Sequence, residues 1–236
     1  MIYFRSILFS IVFYLGTIVL TLGLLPLLVR SDTARLAGRL WGRYCVLCCH
    51  IAGLSHRLEG EVLADEQVIY AAKHQSAWET LVLYPLLGSP LVVLKQELLR
   101  LPVIGWFMNR AGVVPVDRSA GIAALKKLKK SAEQAVQTGR SILIFPQGTR
   151  VKAGTAHPYQ PGVYALYQTT GLKVVPIALN SGMFWGRKAA VKYPGQIVVK
   201  FLDPIPSGLS RADFMNRLET EIETNTIQLE AEAGDL

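Results

Sequence analysis

Residues 6–29 form a run of 24 residues without a charge, bracketed by Arg5 and Arg30. As a helix this run is about 36 Å long, enough to cross the hydrocarbon core of a bilayer. It is too long for the apolar core of a secretory signal, and no small-residue cleavage site follows it. Gly16, Gly23 and Pro26 interrupt it. Two readings therefore stand: a crossing helix, or a bent helix that dips into one leaflet. Arg35, Arg39 and Arg43 follow at a spacing of four, beside Leu36, Leu40, Trp41, Tyr44 and Leu47. A basic stripe next to apolar side chains suits a helix at an anionic membrane surface. The positive-inside rule then puts the remaining chain on the cytoplasmic side of the cell inner membrane.

The rest of the composition agrees with contact to lipid. Apolar residues make up 51% of the chain and charged residues 18%, against roughly a quarter charged in soluble domains. The net charge of +8 is unevenly spread: residues 1–210 carry 23 Lys and Arg against 10 Asp and Glu, whereas residues 211–236 carry 2 against 7. A basic body implies anionic partners, and the apolar N-terminus favours membrane lipid over nucleic acid, for which no binding module is visible. Cys45, Cys48 and Cys49 are too close together to form a spaced disulfide framework. An extra Cys before His50 breaks the haem-attachment spacing, so the three read as small residues on a membrane-apposed helix.

From residue 54 onward the pattern is that of a soluble domain. Short apolar strands are expected at residues 67–72, 91–94, 113–116, 141–145, 174–179 and 197–201. Helices are expected at 78–87, 120–138, 161–170 and from 211 to about 232. This alternation predicts an α/β fold with a mixed, largely parallel sheet flanked by helices, behind an N-terminal membrane-associated helical segment. The predicted division is 1–53 for the anchoring helices and 54–236 for the α/β domain. Pro176 within the strand at 174–179 suggests an edge position.

Chemistry-bearing residues gather at strand ends. His74 and Glu79 lie at a strand-to-helix junction in the segment Lys73-His74-Gln75-Ser76-Ala77-Trp78-Glu79. An imidazole backed by a carboxylate is a general base for an alcohol. Ser76 and Glu79 also spell a helix capping box, and the two roles are compatible. Phe145-Pro146-Gln147-Gly148-Thr149-Arg150 follows a buried strand; its glycine admits close approach of a ligand, and Arg150 suits a phosphate. Gly112 to Arg118 is a strand ending in the polar pair Asp117-Arg118. No Ser nucleophile elbow, phosphate-binding P-loop or zinc-spaced His/Cys set is present.

Over residues 60–205 these segments resemble the glycerolipid acyltransferase family, which includes the 1-acylglycerol-3-phosphate acyltransferases. Four ordered blocks carry the resemblance: His74 to Glu79, Gly112 to Arg118, Phe145 to Arg150, and Val175-Pro176-Ile177. Glu79 stands where the family usually has Asp, and Gln147 where Glu is usual. The resemblance implies transfer of a fatty acyl group from a coenzyme A or acyl-carrier-protein thioester to the sn-2 hydroxyl of 1-acylglycerol-3-phosphate, with no further cofactor and no metal. It implies His74 as base and Glu79 as its orienting acid. Arg118 and Arg150 would hold phosphate, with Lys95 beside them. Asp117, Gln147, Gly148 and Thr149 would complete the substrate site, and an N–H near Gly148 would steady the oxyanion. Two alternatives remain at this level: acylation of another lysolipid such as lyso-ornithine lipid, and membrane lipid binding without turnover.

Overall fold

The structure is a computed structural model, and it describes residues 1–117 and 121–234. It begins with a helical hairpin: α1 (Ile2–Gly23), a short 3-10 turn (Leu25–Val29) and α2 (Ser31–Ile51). The elements that follow are β1 (Leu54–Glu59), β2 (Ile69–Ala72), α3 (Trp78–Leu86), β3 (Leu91–Lys95), α4 (Ile104–Ala111), β4 (Val113–Val116), α5 (Gly121–Gln137), β5 (Ile142–Ile144), α6 (Gly162–Thr170), β6 (Val174–Leu179), α7 (Ser181–Phe184), β7 (Gly195–Phe201) and α8 (Arg211–Gly234).

Seven strands form one sheet in the order β1-β7-β6-β2-β5-β3-β4, parallel throughout except where β6 meets β7. Parallel strands need crossovers, and right-handed crossovers decide which face each helix covers. From β2 the chain steps over β5 to β3, which places α3 on one face. The returns from β4 to β5 and from β5 to β6 run the other way and place α5 and α6 on the opposite face. Strand alternation sorts the side chains to match. Tyr70, Ala72, Leu143, Val175 and Ile177 pack with α3 residues Trp78, Leu81 and Leu83. Ile69, Ala71, Ile142, Ile144 and Val174 pack with Leu128, Ala132, Val163, Leu166 and, from α8, Phe214, Leu218 and Ile222.

The N-terminal hairpin joins the first of these two cores: Phe9, Cys45, Cys48 and Cys49 are all buried there, the cysteines as free thiols. Along its length α1 is tied to α2 by Arg5 Nε donating to Ile51 O (3.0 Å), Tyr44 OH to Val12 O (2.5 Å) and Trp41 Nε1 to Thr17 Oγ1 (3.2 Å). Ser6 Oγ accepts the Lys192 N–H at 3.0 Å, and the Lys192 ammonium lies 4.8 Å from the Phe9 ring centroid. The outer face of α1 is bare. Ile7, Ile11, Leu15, Ile18 and Val19 are all exposed. With 22 residues and a mean hydropathy of 2.1, α1 is the one helix among the described residues long and apolar enough to cross a bilayer.

Pro176 is not at an edge. β6 sits between β2 and β7. Its ladder with β7 begins only at Ile177, and Leu202 N–H donates to Pro176 O at 3.0 Å. The missing proline N–H therefore falls where the antiparallel ladder ends, and costs one reciprocal bond.

Candidate active site

The carboxyl ends of β2, β3, β4, β5 and β6 share one edge of the sheet, where α/β folds gather their sites. β2 ends at Ala72, and its alternation continues into the loop. Lys73 turns to the face of α8, where its ammonium, 2% exposed, meets Glu223 Oε2 at 2.5 Å. His74 turns to the opposite face, lines a chamber and keeps 13% of its side chain exposed.

Glu79 is entirely buried in the first turn of α3 and accepts four hydrogen bonds. Its Oε1 takes the N–H groups of Gln75 (2.6 Å) and Ser76 (2.7 Å) and lies 2.9 Å from His74 Nδ1. Its Oε2 takes the Ser181 hydroxyl at 2.8 Å. The capping and orienting roles thus coexist in one carboxylate, and the extra methylene of Glu is taken up in reaching both. A carboxylate at Nδ1 keeps the proton on that nitrogen and leaves the lone pair on Nε2. Phe145 stacks on the imidazole, with centroids 4.1 Å apart and planes 22° apart, and fixes the ring from the side.

The chamber beside His74 has a volume of about 830 Å³, within the usual range for small-molecule sites. Its walls come from the N-terminal hairpin and from the α/β body. Ala37, Gly38 and Trp41 of α2, Leu81 and Tyr84 of α3, Phe107 and Met108 of α4 and Leu125 of α5 line it, so the N-terminal hairpin is part of the site. At the polar end stand Gly148, Thr149, Arg150 and Lys95. Arg150 makes no ion pair or side-chain hydrogen bond among the described residues. Lys95 pairs with Glu97 at 3.0 Å.

Other expected residues are placed differently. Asp117, half-buried after β4, is outside the chamber lining, and Arg118 lies outside the described residues. Gly148 adopts φ +70°, which favours glycine, and its N–H closes a turn onto Phe145 O at 2.9 Å, so that N–H is not available to an oxyanion. Gln147 is 1% exposed and points away from the chamber. Its Oε1 accepts the His74 N–H at 2.9 Å and its Nε2 donates to Glu223 Oε1 at 3.3 Å. Tyr159 OH donates to the same oxygen at 2.8 Å; burial, and then the Glu223 charge, push this phenol above its ordinary range.

Lys73, Ser181, Tyr159 and Glu223 were missed by reading the sequence. Two of them leave a trace there: Lys73 is a charge ending an apolar strand, and Asn180-Ser181 is a polar pair following the run VVPIAL.

The fold and the site define an α/β protein that holds an imidazole, oriented by a buried carboxylate, at the wall of an apolar chamber. The chain belongs to the Acyltransferase family, whose profile matches residues 55–180. It is 35% identical over 176 residues to a 1-acyl-sn-glycerol-3-phosphate acyltransferase of Pseudomonas aeruginosa, a match covering 74% of this chain and 68% of the relative. It is 29% identical to the protein of that name from Cocos nucifera, over 75% of this chain and 57% of the relative. The crystal structure of the 1-acyl-sn-glycerophosphate acyltransferase PlsC from Thermotoga maritima superposes with a TM-score of 0.80 at 18% identity, covering 98% of each chain. This likeness establishes the shared fold, a largely parallel sheet flanked by helices.

Proposed function

We propose that this acyltransferase moves a fatty acyl group from a thioester to the sn-2 hydroxyl of 1-acylglycerol-3-phosphate and so makes phosphatidic acid. The observation that carries the proposal is the buried Glu79 carboxylate 2.9 Å from His74 Nδ1, which turns Nε2 toward a chamber also lined by Arg150, unpaired among the described residues. The names of the relatives support the substrate class. In the proposed reaction Nε2 takes the hydroxyl proton as the acceptor oxygen attacks the thioester carbonyl. The imidazolium is held by Glu79 and returns the proton to the departing thiolate. Arg150 meets the acceptor phosphate, with Lys95 and Arg118 proposed for the same role. The acyl chains occupy the apolar chamber, and the donor is a coenzyme A or carrier-protein thioester.

Attachment to the membrane belongs to the same proposal. Both ends of α1 are held by the body. Arg5 bonds to the end of α2, and Arg110 of α4 donates to Leu28 O and Val29 O in the turn after α1. This supports a helix embedded along the cytoplasmic face of the inner membrane rather than one projecting across it. A lysolipid then reaches the chamber, whose wall is α2, without leaving the bilayer surface.

The test is acyl transfer by the purified protein with 1-acylglycerol-3-phosphate and an acyl thioester, scored by product mass. Phosphatidic acid made by the wild type and not by His74→Ala is the expected result. Failure of the wild type with this acceptor, alongside turnover of a phosphate-free lysolipid, refutes the acceptor assignment. Gln147 gives no support to such an acceptor, because its side chain does not line the chamber.

A further inference from the structure

The loop that carries His74 is held from behind by α8, which contains most of the acidic residues of the C-terminal segment. Glu223 accepts from three donors: Lys73 Nζ at 2.5 Å, Tyr159 OH at 2.8 Å and Gln147 Nε2 at 3.3 Å. About two turns beyond, Glu230 bonds to the Gln75 side chain and takes the Gly154 N–H at 2.8 Å. The two flanks of His74, Lys73 and Gln75, are thus both fastened to one helix.

Between Glu223 and His74 stands Gln147, and the chemistry of its two neighbours dictates its residue type. On one side is a backbone N–H, which needs an acceptor. On the other is a carboxylate, which needs a donor. An amide presents both from one planar group at any pH, whereas an ionised carboxylate only accepts. An ionised Glu at this position, the usual residue in the family this chain resembles, accepts on both sides and puts a second carboxylate against the partly buried Glu223.

We propose that Gln147 is a positioning residue for His74 and that Glu223 of α8 sets the direction of its amide, so that positions 147 and 223 work only as an amide–carboxylate pair. The proposal rests on His74 being the base. Gln147 touches neither substrate nor the imidazole; it fixes the peptide from which the imidazole hangs. The titratable groups facing Glu223 are Lys73 after β2 and Tyr159 ahead of α6, and Glu219 on its own helix acts on Tyr159 by charge. Lys73 already balances Glu223, and a carboxylate at 147 leaves the cluster with one buried charge too many. Two carboxylates in such a site share a proton at low pH and repel once both ionise.

The experiment is a steady-state comparison of Gln147→Glu, Glu223→Gln, the double variant and His74→Ala across pH. Expected for Gln147→Glu is a kcat lowered roughly tenfold or more at neutral and alkaline pH, with acceptor KM little changed. The ratio of its kcat to wild type climbs as pH falls, because protonation of the pair removes the repulsion. Adding Glu223→Gln restores the amide and the carboxylate in exchanged places and keeps the charge of the cluster. Its kcat returns to within about threefold of wild type with a flat ratio, the non-additivity expected of a contacting pair. If Gln147→Glu is too unstable to purify, the double variant must be purifiable. A Gln147→Glu enzyme with wild-type kcat and a flat ratio, or a double variant no better than that single, overturns the proposal. Turnover by His74→Ala overturns the base reading beneath it, whereas a dead His74→Ala beside an unimpaired Gln147→Glu removes the positioning role alone.

Discussion

Replacing Glu79 with Gln separates charge from geometry at the proposed base. The side chain is wholly buried and its two oxygens accept four hydrogen bonds, three on Oε1 and one on Oε2. An amide of the same length keeps its Oε1 under the Gln75, Ser76 and His74 donors. Its Nε2 faces the Ser181 hydroxyl, which can turn to accept. The packing survives while the negative charge is lost. A hydrogen bond to a charged group is worth about 1.5–3 kcal/mol, and the bond to His74 gains that strength only as the imidazolium forms. The expected loss is therefore about ten- to a hundredfold in kcat with an unchanged acceptor KM, because the interaction belongs to the transition state. The backbone bonds also weaken, by about 1 kcal/mol in sum, so Tm falls by about 2–4 °C. Glu79→Asp keeps the charge but withdraws it by about one carbon–carbon bond, near 1.5 Å, and is expected to lose less kcat than Gln. Steady-state kinetics of the purified variants with thermal melting alongside decides. A Glu79→Gln enzyme with wild-type kcat shows that the carboxylate only caps α3, and the reasoning from its contact with His74 fails.

Three further outcomes are expected. His74→Ala abolishes turnover and leaves the melting transition within a few degrees of wild type, since the ring is partly exposed at the chamber wall; residual turnover near wild type refutes its role. Arg150→Lys keeps the charge but loses the two-pronged fit to phosphate, raising acceptor KM or lowering kcat by roughly ten- to a hundredfold, and an effect confined to thioester kinetics contradicts the phosphate assignment. Leu15→Asp and Ile18→Asp place charges on the bare face of α1 without touching the core; each costs about 2.5–3.5 kcal/mol at the centre of an embedded helix, so flotation with liposomes should show the protein released, and undiminished binding rules out α1 as the anchor.

Where local pattern carries the information, the sequence was legible. Strands β4 and β6 fall on their expected residues, and β2, β3, β5, α3, α5, α6 and α8 lie within a few residues of expectation, because each has an apolar run or periodic face closed by Gly, Pro or a polar pair. Strand β1 was not foreseen: Leu-Ser-His-Arg-Leu-Glu buries only Leu54 of its six side chains, as an outermost strand can, and so lacks an apolar run. Helix α4 was also missed. It is eight residues long, follows Pro102 and leaves Trp106 more than half exposed. Pro176 misled because its cost depends on where the neighbouring ladder stops, which no window around residue 176 contains. At the site, the pairing of His74 with Glu79 spans five residues and could be read directly. Partners of Glu223 lie 64 to 150 residues away, and nothing local marks it among the other acids of α8.

The acidic C-terminal segment changes meaning on this account. Read as composition, residues 211–236 are an excess of negative charge behind a basic body. In the fold residues 211–234 are a helix whose apolar side, Phe214, Leu218 and Ile222, closes the second core, while Glu223 and Glu230, each one residue past a buried one, flank that side. There the strand termini bury polar groups that no ladder satisfies: the Lys73 ammonium and the Gln75 and Gln147 amides. Buried polar groups of this kind must find partners or destabilise the fold. Two carboxylates from a rigid helix supply those partners and leave the opposite face of the loop free for His74 and the chamber. One β-alternation at the end of β2 thus divides the labour: Lys73 faces the helix that holds the loop, and His74 faces the chamber.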